Sequence, residues 1–314
     1  MTITEVVSNF KINLSFGQKE AIGIQLNDSF ARFAILQKNH SSFHVKISPF
    51  EIEFKKEEAG LKIKEELIKR GIKTKTAAFS IPISSTLYKN LKLPKMPKKD
   101  LKEAVEWNIR EEIQSLKGST VFDYAIISEE ENSYNILVII AKKSHIDFIF
   151  DTAKEAGLKP DIIDSEGIAL FNLALAQHKE EGGSEEDKSL CVINIDKEDS
   201  YLIFKQNNII LQTLDFNVNK YNKSSLEEKE EMITKLINEL NYFFLTFNEP
   251  SKLFTAGYLI DFPEINSYLK SNFEGKFEIE DISPLIALEI KEKCDGVCGH
   301  FSVPFGLAYE ELTQ

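Results

Sequence analysis

The stretch AGLKPDIIDSEGIALFNLALAQHKEEGGSEEDKSLCVINIDKEDSYLIFKQNNIIL, residues 156–211, decides how the chain divides. A turn and a short strand over 157–163 lead into a helix over 166–177. That helix carries Ile168, Leu170, Phe171, Leu173 and Leu175 on more than one face, the pattern of a helix buried all round. Residues 179–188 are glycine-rich and acidic, a flexible composition that suits a boundary between lobes. A β-hairpin follows: strands over 191–196 and 201–204, with Lys197, Glu198, Asp199 and Ser200 at its polar tip.

Residues 22–35, IGIQLNDSFARFAI, also read as strand, small polar turn, strand. Setting Gln25 against Asn194 aligns the turn Asn27-Asp28-Ser29 with Asp196-Lys197-Glu198. Self-similarity at about half the chain length suggests two lobes built on one plan; two unrelated hairpins are the alternative. The 314 residues leave room for about two domains.

Working outward in both directions, the order repeats. A short arm over 1–18 includes an added strand at 10–14. The first hairpin is followed by a strand over 44–54 interrupted at Pro49, a helix over 57–70 closed by Gly71, and a strand over 76–82. In the second half, strands to 216 precede a long helix over 225–247, a short strand at 252–255, a helix at 265–269, a strand at 277–279 and a terminal helix around 305–309. Between the halves, 84–160 reads β-α-β-β-α, a compact α+β insert. Its first helix starts after Pro97 with Leu101, Ala104, Val105, Ile109, Ile113 and Leu116 in one stripe; Trp107 and Ile109 read as core. The expected domains are a first lobe of 1–83 plus 161–178, the insert of 84–160, and a second lobe of 189–314.

Composition narrows the function classes. The hydrophobic share of 42% supports real cores. A net charge of -12 argues against nucleic acid and against docking on anionic lipid. No apolar run reaches the roughly 18–20 residues of a membrane span, and the first residues lack a signal-peptide pattern. Three cysteines suit a reducing cytoplasm. No Ser-His-Asp, metalloprotease or Walker-type signal is present.

Three stretches carry a family resemblance: KNLKLPKMPKKDLKEAVEWNIREEI (89–113), ILVIIAKKSHIDFIFDTAKEAGLKPDIIDSEGIAL (136–170) and FSVPFGLAYEEL (301–312). Over about 20–310 the chain resembles the PilM-like proteins of type IV pilus assembly, related to the cell-division FtsA proteins. The resemblance implies an α/β, actin-like (ribonuclease-H-like) two-lobe duplicated fold, with an FtsA/PilM-type α+β insert in the first lobe. It implies a cytoplasmic protein peripheral to the inner membrane, bound to the cytoplasmic N-terminal tail of a PilN-like inner-membrane protein, with the assembly ATPase as a further candidate partner. Neither the C-terminal membrane helix of FtsA-like proteins nor the span of GspL-type secretion proteins is expected of this chain.

The resemblance also implies where a nucleotide would sit, between the two hairpin tips, with backbone N–H groups on phosphate and acids on Mg²⁺. The family's first tip resembles G-I-D-I-G-S-S-S-x-K. Here Gln25 replaces its metal-side aspartate, Asn27 its glycine, and Asp28 brings a negative charge toward phosphate; Ser29 and Arg32 complete the tip. In the second tip Asp196 replaces glycine, and of a Gly-Gly pair only Gly257 remains, followed by Tyr258. The expectation is a lapsed or weak nucleotide site at Asn27, Asp28, Ser29, Arg32, Asp196 and Gly257, with no catalytic residue and no metal; ATP and Mg²⁺ are the alternative occupants. Asp28, Glu198 and Asp199 also read as solvated turn residues. Asp164 and Glu166 read either as caps of the helix they precede or as carboxylates that orient water on a nucleotide. Cys294-x3-Cys298 with His300 lacks an evident fourth zinc ligand, and Cys191 lies in a buried strand. An assembly scaffold leads; an ATP-dependent switch is the alternative, and sugar-kinase-like catalysis has no motif.

Overall fold

Near-continuous apolar runs make the first hairpin, β1 (Lys19–Leu26) and β2 (Phe30–Asn39), with β3 (Ser42–Glu53) at its outer edge. The computed structural model describes residues 19–39, 42–183, 189–290 and 298–313. The strand expected at 10–14, linker residues 184–188 and Cys294 lie outside the described residues. Helix α1 (Ala59–Lys69) crosses back, and β4 (Thr76–Ile81) pairs with β1 in parallel. The insert follows as β5 (Thr86–Pro94), α2 (Lys98–Asn108), α3 (Arg110–Ser115), β6 (Thr120–Glu129) and β7 (Ser133–Lys142). Helix α4 (Lys143–Ala156) and β8 (Lys159–Ser165) then return to the first sheet, whose order is β3-β2-β1-β4-β8.

Helix α5 (Glu166–Glu180) leads to the second sheet through β9 (Leu190–Ile195), β10 (Ser200–Lys205) and β11 (Ile209–Leu214). Next come α6 (Val218–Lys223) and α7 (Leu226–Phe247), the latter started by a capping box of Ser225 and Glu228. Strand β12 (Lys252–Gly257), α8 (Pro263–Phe273), β13 (Glu278–Asp281), α9 (Pro284–Ala287) and α10 (Ser302–Thr313) complete the described chain. The second sheet runs β11-β10-β9-β12-β13, the same topology as the first.

The duplication holds at the level of single residues. With Gln25 set on Asn194, Gly23 falls on Val192; Gly23 pairs with Ala78 of β4, and Val192 pairs with Phe254 of β12. Both lobes therefore consist of an antiparallel meander extended by two parallel strands.

Apolar faces fix the layers. Helices α5 and α10 lie between the two sheets, in a core that joins Ala34 and Ala78 of the first to Val192 and Phe254 of the second. Residues Glu166 to Ala174 of α5 are all buried, as a helix apolar on several faces requires. Helices α1 and α4 cover the outer face of the first sheet, and α7 and α8 that of the second. The insert has its own small core of Leu101, Val105, Ile109, Ile136, Val138 and Ile140.

Four details differ from the reading of the sequence. Helix α4, at the end of the segment 84–160, packs Ile149, Ala153 and Ala156 with Ile63 of α1 and so joins the first lobe's core. The terminal helix α10 also packs on the first lobe, against β1 and α5. The insert's long helix breaks at Ile109 into α2 and α3; the Asn108 side chain donates to the carbonyl of Ala104 there. Trp107 is not core. It is 64% exposed, on the side of α2 away from Leu101 and Val105, and the Arg110 guanidinium lies 3.9 Å from its ring centroid. The interruption expected at Pro49 is present as a bulge within β3, an edge strand where a missing N–H is tolerated.

The approach of α10 leaves no room for side chains. A Cβ on Gly23 would lie 1.9 Å from the carbonyl oxygen of Pro304, and one on Gly306 would lie 2.2 Å from that of Ala169. Both obstacles are backbone. Gly23→Ala and Gly306→Ala are each expected to lower stability by about 3 kcal/mol, the upper part of the range for overpacking a core, measured by urea unfolding.

Candidate functional site

The two hairpin tips meet across the interlobe cleft, and Arg32 fills the space between them. Its side chain is 1% exposed. Nη1 and Nη2 donate to Oδ2 and Oδ1 of Asp196, both at 2.7 Å, and Nε donates to Glu51 at 2.7 Å. Phe30 lies under the guanidinium, its ring centroid 4.6 Å away, and Tyr258 flanks it at 5.4 Å. Lys197 from the second tip bonds Glu51 and, at 3.2 Å, Glu53 on β3. Ser29 donates to Glu198 at 2.6 Å. The lobes are thus joined by charged and polar contacts that radiate from the tips.

Gln25 connects this network to the helix behind it. Its amide donates to Glu166 at 3.1 Å and approaches Asp196 at 3.4 Å, while its oxygen accepts from Arg32 at 3.1 Å. Burial alone would discharge Asp196, but the Arg32 charge and hydrogen bonds hold its carboxyl below the usual range. The same partners, with Glu51, outweigh the burial of the Arg32 guanidinium and raise its pKa. Glu166 has no cation bonded to it. Burial and then the negative charge of Asp196 push its carboxyl up to about 8, so at neutral pH it is mostly protonated.

The residues of the expected nucleotide site therefore separate into two groups. Arg32 and Asp196 are brought together and satisfy each other, and Ser29 bonds across the cleft. Asn27 and Asp28 face a different recess, beside Lys56, Lys142 and His145. Gly257 has φ 75°, and a Cβ there would meet the carbonyl oxygen of Ile195 at 2.2 Å. Its glycine is required by backbone conformation and strand packing. Tyr258 turns toward the cleft; its hydroxyl is 3.4 Å from Arg32 Nη2 and its ring meets His300, centroids 4.0 Å apart. Glu51 was not singled out from the sequence, nor were the reach of the tip residue Lys197 across the cleft and the buried state of Glu166. Among the described residues no group of three or more His, Cys, Asp or Glu is placed to hold a metal, and among them no helix is long and apolar enough to cross a membrane.

A second concavity lies between the insert and the first lobe, with a volume of about 280 Å³. Its walls are mainly apolar: Val121 and Phe122 of β6, Ile139 of β7, Ile146 of α4, and Ile162 and Ile163 of β8. Strand β6 is an edge of the insert sheet and β8 an edge of the first sheet, so both present unpaired backbone groups. Polar groups gather at one end. Asp164 and Glu310 share a hydrogen bond, and Asn172 donates to Glu310. Burial pushes the Asp164 carboxyl up to about 6, and burial with the Asp164 charge raises Glu310 well above its ordinary value. Asp164 Oδ1 also accepts from the Ser165 amide at the start of α5 at 2.7 Å.

Two sheets of one topology, with paired helices between them and facing hairpin tips, define an actin-like ATPase fold carrying an insert in its first lobe. Among solved structures, the chain superposes on one of a PilM-PilN type IV pilus biogenesis complex with a TM-score of 0.75 at 17% identity, covering 93% of this chain and 98% of that one. It is similar, more distantly, to the ethanolamine utilization protein EutJ from Carboxydothermus hydrogenoformans, with a TM-score of 0.50, 9% identity, and 98% and 94% of the two chains covered. A Bacteroides thetaiotaomicron protein described as having an actin-like ATPase fold and unknown function gives a TM-score of 0.49 at 12% identity, over 88% and 95% of the two chains. No protein-family model and no curated protein matches the chain.

Removing one partner of the buried pair is expected to cost more than removing both. Arg32→Met should destabilise by about 3–5 kcal/mol because Asp196 is left buried and uncompensated; Arg32→Met with Asp196→Leu should recover much of that loss in a denaturation cycle. The pH dependence has a definite sign. Glu166 binds its proton up to about pH 8 in the folded chain but loses it near pH 4.3 when unfolded. The folded state thus holds more protons between these values, and stability falls as pH rises through them. Glu166→Gln should flatten that fall between pH 5 and 8, followed by urea midpoints (roughly the range set by the reference carboxyl value).

Proposed function

We propose that this chain is a scaffold of a type IV pilus or type II secretion-like assembly machine, cytoplasmic and peripheral to the inner membrane. It binds the cytoplasmic tail of an inner-membrane, PilN-like partner in the groove between the insert and the first lobe. The observation that carries this reading is the groove itself: an apolar trough flanked by two strand edges, β6 and β8, in a chain whose fold matches one from a PilM-PilN type IV pilus biogenesis complex. An extended tail can add to a free edge through main-chain hydrogen bonds while its alternate side chains enter the trough. The acidic end of the groove, at Asp164 and Glu310, suits a donor group on that tail.

In this reading the nucleotide site has lapsed. The place between the tips is taken by Arg32 and Asp196, and Tyr258 closes the side left open by the missing glycine. The lobes are held together by the protein's own charges, so no nucleotide is needed to bridge them.

The test has two arms. A synthetic tail peptide from a PilN-like inner-membrane protein of the same organism should bind saturably, and Val121→Asp on the groove edge should weaken it at least about tenfold, the effect of losing roughly 1.4 kcal/mol, without lowering the unfolding midpoint. Failure of every inner-membrane tail to bind would overturn the scaffold assignment. In the second arm, thermal unfolding with millimolar Mg-ATP should show no shift. A ligand at 100 times its Kd adds about 2.7 kcal/mol, so a rise of several degrees would instead establish an ATP-dependent switch.

A further inference from the structure

One recess belongs neither to the ion-pair cluster nor to the groove. It encloses about 260 Å³ between the first hairpin tip and the start of α4. Asn27, Lys56, Ser84, Lys142, Ser144 and His145 line it. Lys56 lies just before α1, and Lys142, Ser144 and His145 lie where the insert passes into α4, so the recess sits at the junction of the first lobe with its insert.

One side of it is rich in donors. The residue before α4 is Lys142, whose side chain cannot accept a hydrogen bond, and no side chain caps the helix. The amide of Lys143 donates to the carbonyl of Ser119; the next amides of this 14-residue helix have no capping partner. Ser84, Ser144, Lys56 and Lys142 line the same recess, and Lys142 Nζ donates to the Ser84 carbonyl at 2.9 Å. The other side presents two buried acceptors. Asn27 is 5% exposed and His145 is 6% exposed, yet Asn27 Oδ1 and His145 Nε2 have no hydrogen-bond partner in the protein. The other ring nitrogen of His145 bonds the Leu26 backbone, and burial, followed by the nearby Lys56 charge against that of Asp28, leaves the ring neutral at pH 7 with a pKa of about 4. Nε2 therefore offers a lone pair.

A fully ionised anion satisfies the donors and leaves both acceptors bare. A neutral donor satisfies the acceptors and wastes the helix terminus and the lysines. An oxyanion that keeps one proton does both. We propose that this recess binds a phosphate monoanion that still carries a proton, as dihydrogen phosphate or as a small, singly protonated phosphomonoester. Its charged oxygens face the α4 N-terminus and the two lysines, and its P–OH donates to His145 Nε2 or Asn27 Oδ1. The acids at the rim fit this choice. Asp28 is paired with Lys56 at 2.7 Å and Glu198 accepts from Ser29 at 2.6 Å; their remaining negative charge disfavours a dianion.

Calorimetric titration of the full chain at pH 6.5 with inorganic phosphate, sulfate and O-phosphoserine tests this. Saturable phosphate binding is expected, with sulfate, which carries no proton at this pH, at least about tenfold weaker. Tighter binding of O-phosphoserine than of phosphate assigns the site to a monoester; the reverse assigns it to the free ion. Ser144→Asp places a carboxylate in the first turn of α4, where it suits the helix dipole, so the midpoint of unfolding should hold or rise while phosphate binding falls at least about tenfold. Lys142→Gln should weaken phosphate as well. Equal binding of sulfate and phosphate, no phosphate binding, or binding that survives Ser144→Asp in the folded variant would overturn the proposal.

Discussion

A guanidinium sealed from water must find its counter-charges inside the protein, and that requirement organises the centre of this molecule. Arg32 sits on the first lobe and Asp196 on the second. Each is buried, so each depends on the other lobe to be tolerable. The pair is weak evidence for net stability, since two hydrophobic residues of similar size can do as well. It is strong evidence for specificity, because the lobes have few arrangements in which neither charge is stranded. The neighbouring contacts of Lys197 with Glu51 and of Gln25 with Glu166 repeat the logic at lower stakes. The space between the two hairpin tips is occupied by side chains of the chain itself.

The sequence made the architecture legible because the duplicated hairpins share both their apolar pattern and their polar tips. Aligning Gln25 with Asn194 gave the register that the sheets adopt. Helix α5 was legible for the same reason: apolar residues on every face leave a helix nowhere to go except between two layers. The terminal helix was harder. Its position in the order β-β-β-α-β-α placed it with the second lobe, and only the small residues Gly23 and Gly306 hint that it lies against the first. Trp107 misled because bulk and apolarity were read as burial; the stripe of Leu101, Val105 and Ile109 on the opposite side of the helix already supplied the insert's core.

The site was legible only in its parts. Arg32 and Asp196 were recognised as tip residues, but their mutual contact depends on the closing of two lobes, which no local pattern encodes. Glu51 shows how a partner can be hidden. At the end of β2, Asn39 pairs with Ser42 and Leu36 with Val45, a register that, continued unbroken, would set Arg32 opposite Pro49. Two shifts along β3 bring Glu51 there instead. The bulge beside Pro49 is thus what delivers a carboxylate to the buried cation. Asn27 and His145, likewise, meet only because the start of α4 comes to rest beneath a turn more than a hundred residues earlier.

The position of α10 reaches into the protein's synthesis. Strand β1 is among the first described elements to leave the ribosome and Ser302–Thr313 is the last, yet the helix fills the space directly over Gly23. Contacts this distant in the chain form late, because loop closure precedes any gain from packing. The first lobe therefore waits, with one face of its central strand bare, until residues 302–313 have been made. Nascent chains arrested before Ser302 should stay protease-sensitive in 19–81, and protection should appear only once α10 has cleared the exit tunnel.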